Sequence, residues 1–572
     1  VICIVLHTHL PYVLHHGNWP HGSDWLCEAV AECYLPLLMM CNTLSAEGIN
    51  PGLTFDISPV LCEQLAHPDF PKVFHTYCTE HAKLAEGDRK KFIDEGAQDF
   101  AELAGVWSEW YITKWEQFQS TFSSDIIGAF RSLQDRGLVE IITCGATHGY
   151  LPLLAEDSSV EQQIGIAVGN YQRHFQRAPR GIWLPECAYR PAYSWRTYLP
   201  VAPYSIARPR KGVEQFLQQY HIRYFVTDEG ALTSAIPLGV RDSNNLRVAY
   251  HDTYGRIRQQ LDERSVMDVF LVSGENHRES AAVFTRHRRI ALQVWSGESG
   301  YPGDPDYLDF HKKYYRSALR YWRVTDNKAD MQWKQPYVPE WAENKARQHA
   351  VHFCEILEVT LRHRMMDSGE TGPPPTICLP FDTELFGHWW FEGPLFLEHL
   401  LREIHTSQIL RTSTLGMQYD VLQPQCEIAL PESSWGRNGN HEVWMNPDVQ
   451  WTWEREYLLE HRMQMLLTKH SAPGWDSTML RFVRNAFRQM LLAQASDWQF
   501  LISTFASREY AEARFHSHAS DALKLCDAAE RYATNGSVTV HDEQLCSACE
   551  ERDGIFIQEL EQFFTRQGVT VQ

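Results

Sequence analysis

The 572-residue sequence has no excess of positive charge: 52 lysines and arginines stand against 72 aspartates and glutamates, for a net charge of −20. That balance argues against nucleic acid or an anionic membrane as partner and favours a neutral one. No apolar run reaches the length a bilayer requires, so no transmembrane helix is expected. The opening Val1-Ile2-Cys3-Ile4-Val5-Leu6 lacks the basic start and small-residue cleavage site of a signal peptide, and reads instead as a first strand. There is no Walker loop, and no strand candidate is followed by Gly-x-Gly-x-x-Gly, which weakens an open doubly wound sheet. No serine or cysteine shows a nucleophile elbow. The one Cys-x-x-Cys, Cys546 with Cys549, lacks the second pair of a zinc site. The fourteen cysteines are otherwise scattered, several within apolar runs (Cys3, Cys144, Cys378), which suggests buried thiols in a reducing cytoplasm. No internal repeat is found.

With 44% apolar and 22% charged residues the chain is globular and long enough for two or three structural units. Apolar strand candidates alternate with helical segments: Val1–Leu6, Leu53–Ile57, Val139–Cys144, Gly181–Leu184, Ile222–Thr227, Ile290–Trp295 and Thr376–Phe381, with Ile409–Ser413 a weaker eighth. Such alternation predicts parallel βα units, and seven of them suggest a barrel. Residues from about 70 to 135 read as a helical insertion, and 229–289 as a long, polar, lid-like loop containing the turn cluster Asp242-Ser243-Asn244-Asn245. Ser158 with Glu161, or Ser159 with Gln162, can form a capping box for a helix running to Phe175, and Gly48 can end one that begins near Asp24. A catalytic unit over 1–414 is thus followed by a helical C-terminal domain over 415–572, with a weakly specified tail after about 534.

Two stretches share a strand–proline–acid layout: Ile182-Trp183-Leu184-Pro185-Glu186 and Ile377-Cys378-Leu379-Pro380-Phe381-Asp382. Proline removes a ladder donor, so each carboxylate should stand near the C-terminal mouth of its strand, where parallel α/β proteins bind ligands. Paired carboxylates suit glycosidic chemistry, one attacking the anomeric carbon while the other protonates the leaving oxygen. The bland readings are a salt bridge from Glu186 to Arg190 and a helix N-cap at Asp382. His7 and His9 point the same way from the first strand, and His148 follows the third; they are either metal ligands or groups that bind sugar hydroxyls and orient a carboxylate. Nineteen tryptophans supply flat faces for sugar rings, among them Trp295, Trp389, Trp390 and Trp435. Trp389 and Trp390 are expected to wall Asp382 and help raise its pKa.

These motifs resemble glycoside hydrolase family 57, and within it the 1,4-α-glucan branching enzymes. The resemblance runs through His7–Pro11, Trp19–Gly22, Thr147–Leu151, Trp183–Arg190, Gln293–Asp304, Phe381–Gly393, Ser434–Gly439 and Ser496-Asp497-Trp498. It implies an incomplete (β/α)7 barrel with a helical insertion and a helical C-terminal domain, Glu186 as nucleophile and Asp382 as general acid/base. It also implies substrate contacts at Arg286, Gly303, Trp435 and Asp497, a catalytic subsite lined by His7, His9 and His148, and neither metal nor other cofactor. Trp295 and Trp389 join the expected substrate-binding set. The partner implied is an α-glucan such as amylose or a glycogen-like polymer. The alternatives are an α-amylase or 4-α-glucanotransferase of the same family, a metal-dependent hydrolase or deacetylase built on His7 and His9, and a non-catalytic glucan-binding protein. Branching enzymes of the family carry a lid tyrosine; 229–289 matches that pattern badly, with Tyr250 and Tyr254 as candidates.

Overall fold

The computed structural model describes residues 1–18, 21–241, 247–249, 264–274, 280–326, 328–368, 374–469 and 475–566. Seven strands, each short and apolar, carry the catalytic unit: β1 (Ile2–Thr8), β2 (Leu53–Ile57), β3 (Val139–Ile142), β4 (Gly181–Ile182), β5 (Tyr224–Thr227), β6 (Ser280–Thr285) and β7 (Ile377–Asp382). β7, β1, β2 and β3 form one parallel ladder; β4, β5 and β6 form another. Single parallel bridges, Thr143 to Ile182 and Arg286 to Cys378, join the two into a seven-stranded ring. β1, β2 and β5 are buried at every residue, which explains their continuous apolar runs. The eighth candidate, Ile409–Ser413, contributes only one bridge, Thr412 to Ile2.

Two expectations fail here. Ile290–Trp295 is not a strand but the body of a helix, Arg288–Trp295, with Ile290, Ala291 and Val294 buried and Leu292 exposed. That i, i+1, i+4 spacing is one helical face. The true sixth strand, β6, lies inside the stretch read as a polar loop. With β6 included, about half of the described part of 229–289 is sheet: Ile236–Arg241, Arg247–Ala249 and Phe270–Ser273 extend the ladder beyond β6 through Cys426–Ala429. Arg241 and Arg247 both pair with the buried Glu427, so these charges hold the extension together. Trp19, Pro20, Asp242–Asn245, Tyr250 and Tyr254 lie outside the described residues.

Phe70–Asp94 and Gln98–Glu116 form an antiparallel helical pair, turned at Gly96. The helical segment Ser23–Ala46 is long and apolar enough to cross a membrane, yet 67% of its most apolar window is buried against the barrel core. Glu47 caps it and Gly48 follows with φ +81°. The helix to Phe175 begins at Asp157 without a side-chain cap, so neither capping box forms; Ser159 instead donates to Glu460 (2.9 Å). After 450 the described chain is helical, including two helices where a weak tail was expected: Val540–Arg552, opened by a Thr539/Asp542 capping box, and Ile557–Arg566. Cys546 and Cys549 are fully buried there, and burial pushes both thiols up to about 12. All fourteen cysteines are free.

Candidate active site

Pro185 has no amide to extend the ladder, and the chain leaves β4 through a single turn, Pro185–Cys187. Glu186 and Cys187 take left-handed conformations, φ +62° and +49°, each costing about 1–3 kcal/mol for a residue with a Cβ. The turn is held by backbone bonds Cys187 N–H to Leu184 O (2.8 Å), Ala188 N–H to Pro185 O (3.0 Å) and Trp435 N–H to Glu186 O (3.0 Å). It presents a carboxylate whose two oxygens are separately fixed. Trp435 Nε1–H donates to Oε2 at 2.7 Å, and the Ser496 hydroxyl donates to Oε1 at 2.9 Å. Burial pushes the Glu186 carboxyl up to about 7, with these donors and His9 opposing and Asp497 adding to the rise. Arg190 does not reach it; that guanidinium is buried among the carbonyls of Pro152, Leu154 and Lys211.

Asp382 ends β7 and pairs in register with His7, which on its other side is in register with Asp56. A one-turn helix, Thr383–Leu385, begins beyond Asp382, but its side chain makes no cap hydrogen bond, which removes the N-cap reading. Its carboxyl is held well above the usual carboxylate range, first by burial, then by the charges of Glu384 and Glu186, against the pull of Arg286. Neither expected indole has a described contact with Asp382. Trp390 is core, packed on Phe386, Phe396 and Tyr307, while Trp389 is 38% exposed.

Arg286, at the end of β6, donates to Asp228 (3.4 Å) and lies 6.0 and 5.9 Å from the rings of Trp295 and Trp435. Those indoles meet edge to face at 6.1 Å, and Trp435 packs the same way on Trp183 at 5.0 Å. His9 accepts or donates between Ser58 (2.8 Å) and Asp497 (3.0 Å). His148, itself at φ +60°, stacks on His9 at 4.0 Å and meets His7 through their Nε2 atoms at 3.0 Å. Gly303 sits in the turn Tyr301–Gly303, whose Tyr301 packs on His349 and Phe396; it makes no described contact with either acid.

Among the described residues, His7–Cys144–His148 and His9–His148–Asp497 are close enough to hold a metal. All six imidazole nitrogens of His7, His9 and His148 already face another side chain: Asp56, His148, Ser58, Asp497, His7 and Ser496. The arrangement is a hydrogen-bonded framework around Glu186. Sequence reasoning missed Asp56, Ser496 and Glu384. Asp56 had one signal, an acid, the sole ionisable residue of the fully buried β2. Glu384 had none that set it apart; it is buried, bonded to the Tyr34 hydroxyl (2.6 Å) and pushed up to about 7 by burial.

Ser496 and Asp497 open the helix Ser496–Ser503 of the C-terminal domain, tied to the barrel by Ser496 N–H to His148 O (3.0 Å). The site is therefore built from both halves of the chain, and both halves match known families. Residues 3–431 match the model of glycosyl hydrolase family 57, and residues 457–562 match the C-terminal domain of 1,4-alpha-glucan branching enzyme. The chain is 37% identical to the 1,4-alpha-glucan branching enzyme TK1436 of Thermococcus kodakarensis over 555 residues, 97% of this chain and 77% of that protein. A crystal structure of that enzyme superposes with a TM-score of 0.86, covering 100% of this chain and 96% of the other at 35% identity. The family 57 branching enzyme of Pyrococcus horikoshii gives 0.85 at 36% identity, covering 100% and 97%. The alpha-amylase AmyC of Thermotoga maritima gives 0.77 at 28%, covering 97% of each chain. This chain belongs to glycosyl hydrolase family 57.

Proposed function

We propose that the chain is a 1,4-α-glucan branching enzyme that cleaves α-1,4 links and forms α-1,6 branches with retention at the anomeric carbon. The observation that carries the chemistry is a pair of carboxyls, Glu186 buried and Asp382 partly buried, with different environments. Glu186 has two donors that favour its ionised form, whereas Asp382 is held protonated by burial and by the acids around it. Glu186 attacks the anomeric carbon while Asp382 gives its proton to the departing glycosidic oxygen, leaving a covalent glucosyl-enzyme. Asp382, now a base, takes the proton of an incoming glucan 6-hydroxyl, which attacks the same carbon and frees Glu186. Trp295, Trp435 and Arg286 line the donor subsite, and His7, His9, His148 and Asp497 surround the reacting sugar; Trp389 and Gly303 are assigned to outer glucan contacts. The branching-enzyme C-terminal match favours transfer over the α-amylase reading. The fully engaged histidine nitrogens favour it over a metal-dependent hydrolase. The product is a branched glucan of the glycogen or starch type, and the fourteen free thiols support a reducing, cytoplasmic setting.

The test is incubation with amylose, enzymatic debranching and chain-length analysis. New debranching-sensitive links are expected from the wild type, and a loss of at least about 10³-fold from Glu186→Gln and from Asp382→Asn with the fold retained. Reducing ends without new α-1,6 links would return the chain to the amylase reading.

A further inference from the structure

Four side chains run in single file to the nucleophile. Asp56 Oδ2 meets His7 Nδ1; His7 Nε2 meets His148 Nε2 at 3.0 Å; His148 Nδ1 meets Ser496 Oγ at 2.8 Å; Ser496 Oγ meets Glu186 Oε1 at 2.9 Å. All five residues are buried, and the chain draws on β1, β2, the loop after β3 and the C-terminal domain. With both imidazoles neutral, as their burial favours, only one proton placement satisfies it. An ionised Glu186 accepts only, so the single Ser496 proton points at Oε1. The Ser496 oxygen then accepts from His148 Nδ1–H. A neutral His148 has a bare Nε2, which must receive His7 Nε2–H, and a neutral His7 has a bare Nδ1, which needs a donor from Asp56.

We infer that Asp56 is a protonated positioning residue that donates to His7 and orders a one-way hydrogen-bond chain, Asp56 to His7 to His148 to Ser496, fixing the Ser496 hydroxyl on the nucleophile. This rests on Glu186 being the ionised nucleophile. The charge states agree throughout. Burial and the charge of Glu384 raise Asp56 well above the carboxylate range, while burial and neighbouring imidazoles hold His7 and His148 well below theirs. Asp56 Oδ1 has no partner among the described residues, which a neutral acid tolerates far better than a carboxylate does. The other groups facing the chain are Trp183, stacked on His7, Trp435, edge-on to the same ring, the Cys144 thiol beside His7 and His148, and His9 with Asp497 beside His148. The polarity is opposite to that of a nucleophile triad, where the acid stays ionised and accepts from the imidazole.

Asparagine separates the two polarities, because its amide can still donate to His7 Nδ1 but cannot act as a carboxylate. Rates of amylose consumption are compared across pH for Asp56→Asn, Asp56→Ala, Ser496→Ala and the Asp56→Ala/Ser496→Ala pair. Asp56→Asn should stay within about tenfold of wild type in kcat, with its acid limb in place. Asp56→Ala should lose about ten- to a hundredfold in kcat at little change in KM, with the acid limb moved up by about one to two pH units. The double variant should be no slower than Ser496→Ala alone, since Asp56 acts through that hydroxyl. A loss of about 10⁴ in folded Asp56→Asn would mean that Asp56 is an ionised acceptor and reverse the chain; additive losses in the pair would make Asp56 merely structural. If Asp56→Ala does not fold, the Asn variant decides. Full activity in Glu186→Gln would instead remove the nucleophile assignment itself.

Discussion

At Glu186 opposing effects meet in one carboxyl. Burial raises its pKa to about 7; Trp435 Nε1–H and the Ser496 hydroxyl hold the ionised form against that rise. The nucleophile works only as a carboxylate and Asp382 works first as an acid, so kcat/KM should climb with pH through the Glu186 titration and fall as Asp382 loses its proton. Trp435→Phe keeps a ring face and removes the indole N–H. Its loss disfavours the carboxylate, so the Glu186 pKa rises and the acid limb should move to higher pH by about one to two units while the alkaline limb stays. A pH–rate profile whose acid limb stays put or moves down would show that the Trp435 bond does not tune Glu186. The two acids were legible in the sequence because each closes an apolar run carrying a proline, although only Pro185 lies beyond its strand; Pro380 pairs with Val5 inside β7, which runs on to Asp382. Ser496 was not, because its role depends on a partner 310 residues away, and nothing local distinguishes a serine at a helix start that contacts a nucleophile from one that caps a helix.

At the level of elements, strands buried on both faces announced themselves, and β6 did not. Ser280-Ala281-Ala282-Val283-Phe284-Thr285 is half small residues, so its apolar signal is weak, whereas the helix Arg288–Trp295 concentrates larger apolar groups and drew the strand assignment instead. The aromatic run after Asp382 was read as a sugar wall, yet much of it is a packing joint. Gly387 has φ +124°, and a Cβ there would lie 1.8 Å from the carbonyl oxygen of Glu32. Glu32 in turn binds His388 (3.0 Å) and Arg320, which also donates to the His388 carbonyl (3.1 Å). Gly387→Ala therefore combines a disallowed backbone conformation with overpacking and should cost about 2–5 kcal/mol. Thermal unfolding followed by circular dichroism should show Tm lowered by several degrees; a Tm within one degree of wild type would mean the loop relaxes at little cost.

For the whole molecule, the long helical patterns after 450 made the second unit readable, but not the fact that it completes the site. Docking rests on polar groups whose partners lie across the interface. Glu460, on the helix Gln450–Lys469, accepts from the amides of Ala155 (3.1 Å) and Glu156 (2.7 Å) and from the Ser159 hydroxyl, where the barrel helix Asp157–Phe175 begins. It is 2% exposed, so Glu460→Ala leaves two buried donors, the Ala155 amide and the Ser159 hydroxyl, unpaired at about 1–3 kcal/mol each, and the part-buried Glu156 amide with them. Neither domain's own core contains the lost bonds, so the weakened part is the junction. Ser496 and Asp497 enter the barrel mouth from the C-terminal side of that junction, and a misplacement of about 1 Å can cost about a hundredfold in rate. Glu460→Ala should therefore lose activity on heating at a temperature at least about 5 °C below wild type, and before most of its helical signal is lost. Residual branching activity after stepwise heating, set beside the far-ultraviolet circular dichroism of the same samples, measures both. If activity and helix content fall together at the wild-type temperature, Glu460 contributes nothing to docking, and the remaining contacts between the halves, Ser496 N–H to His148 O among them, hold the junction without it.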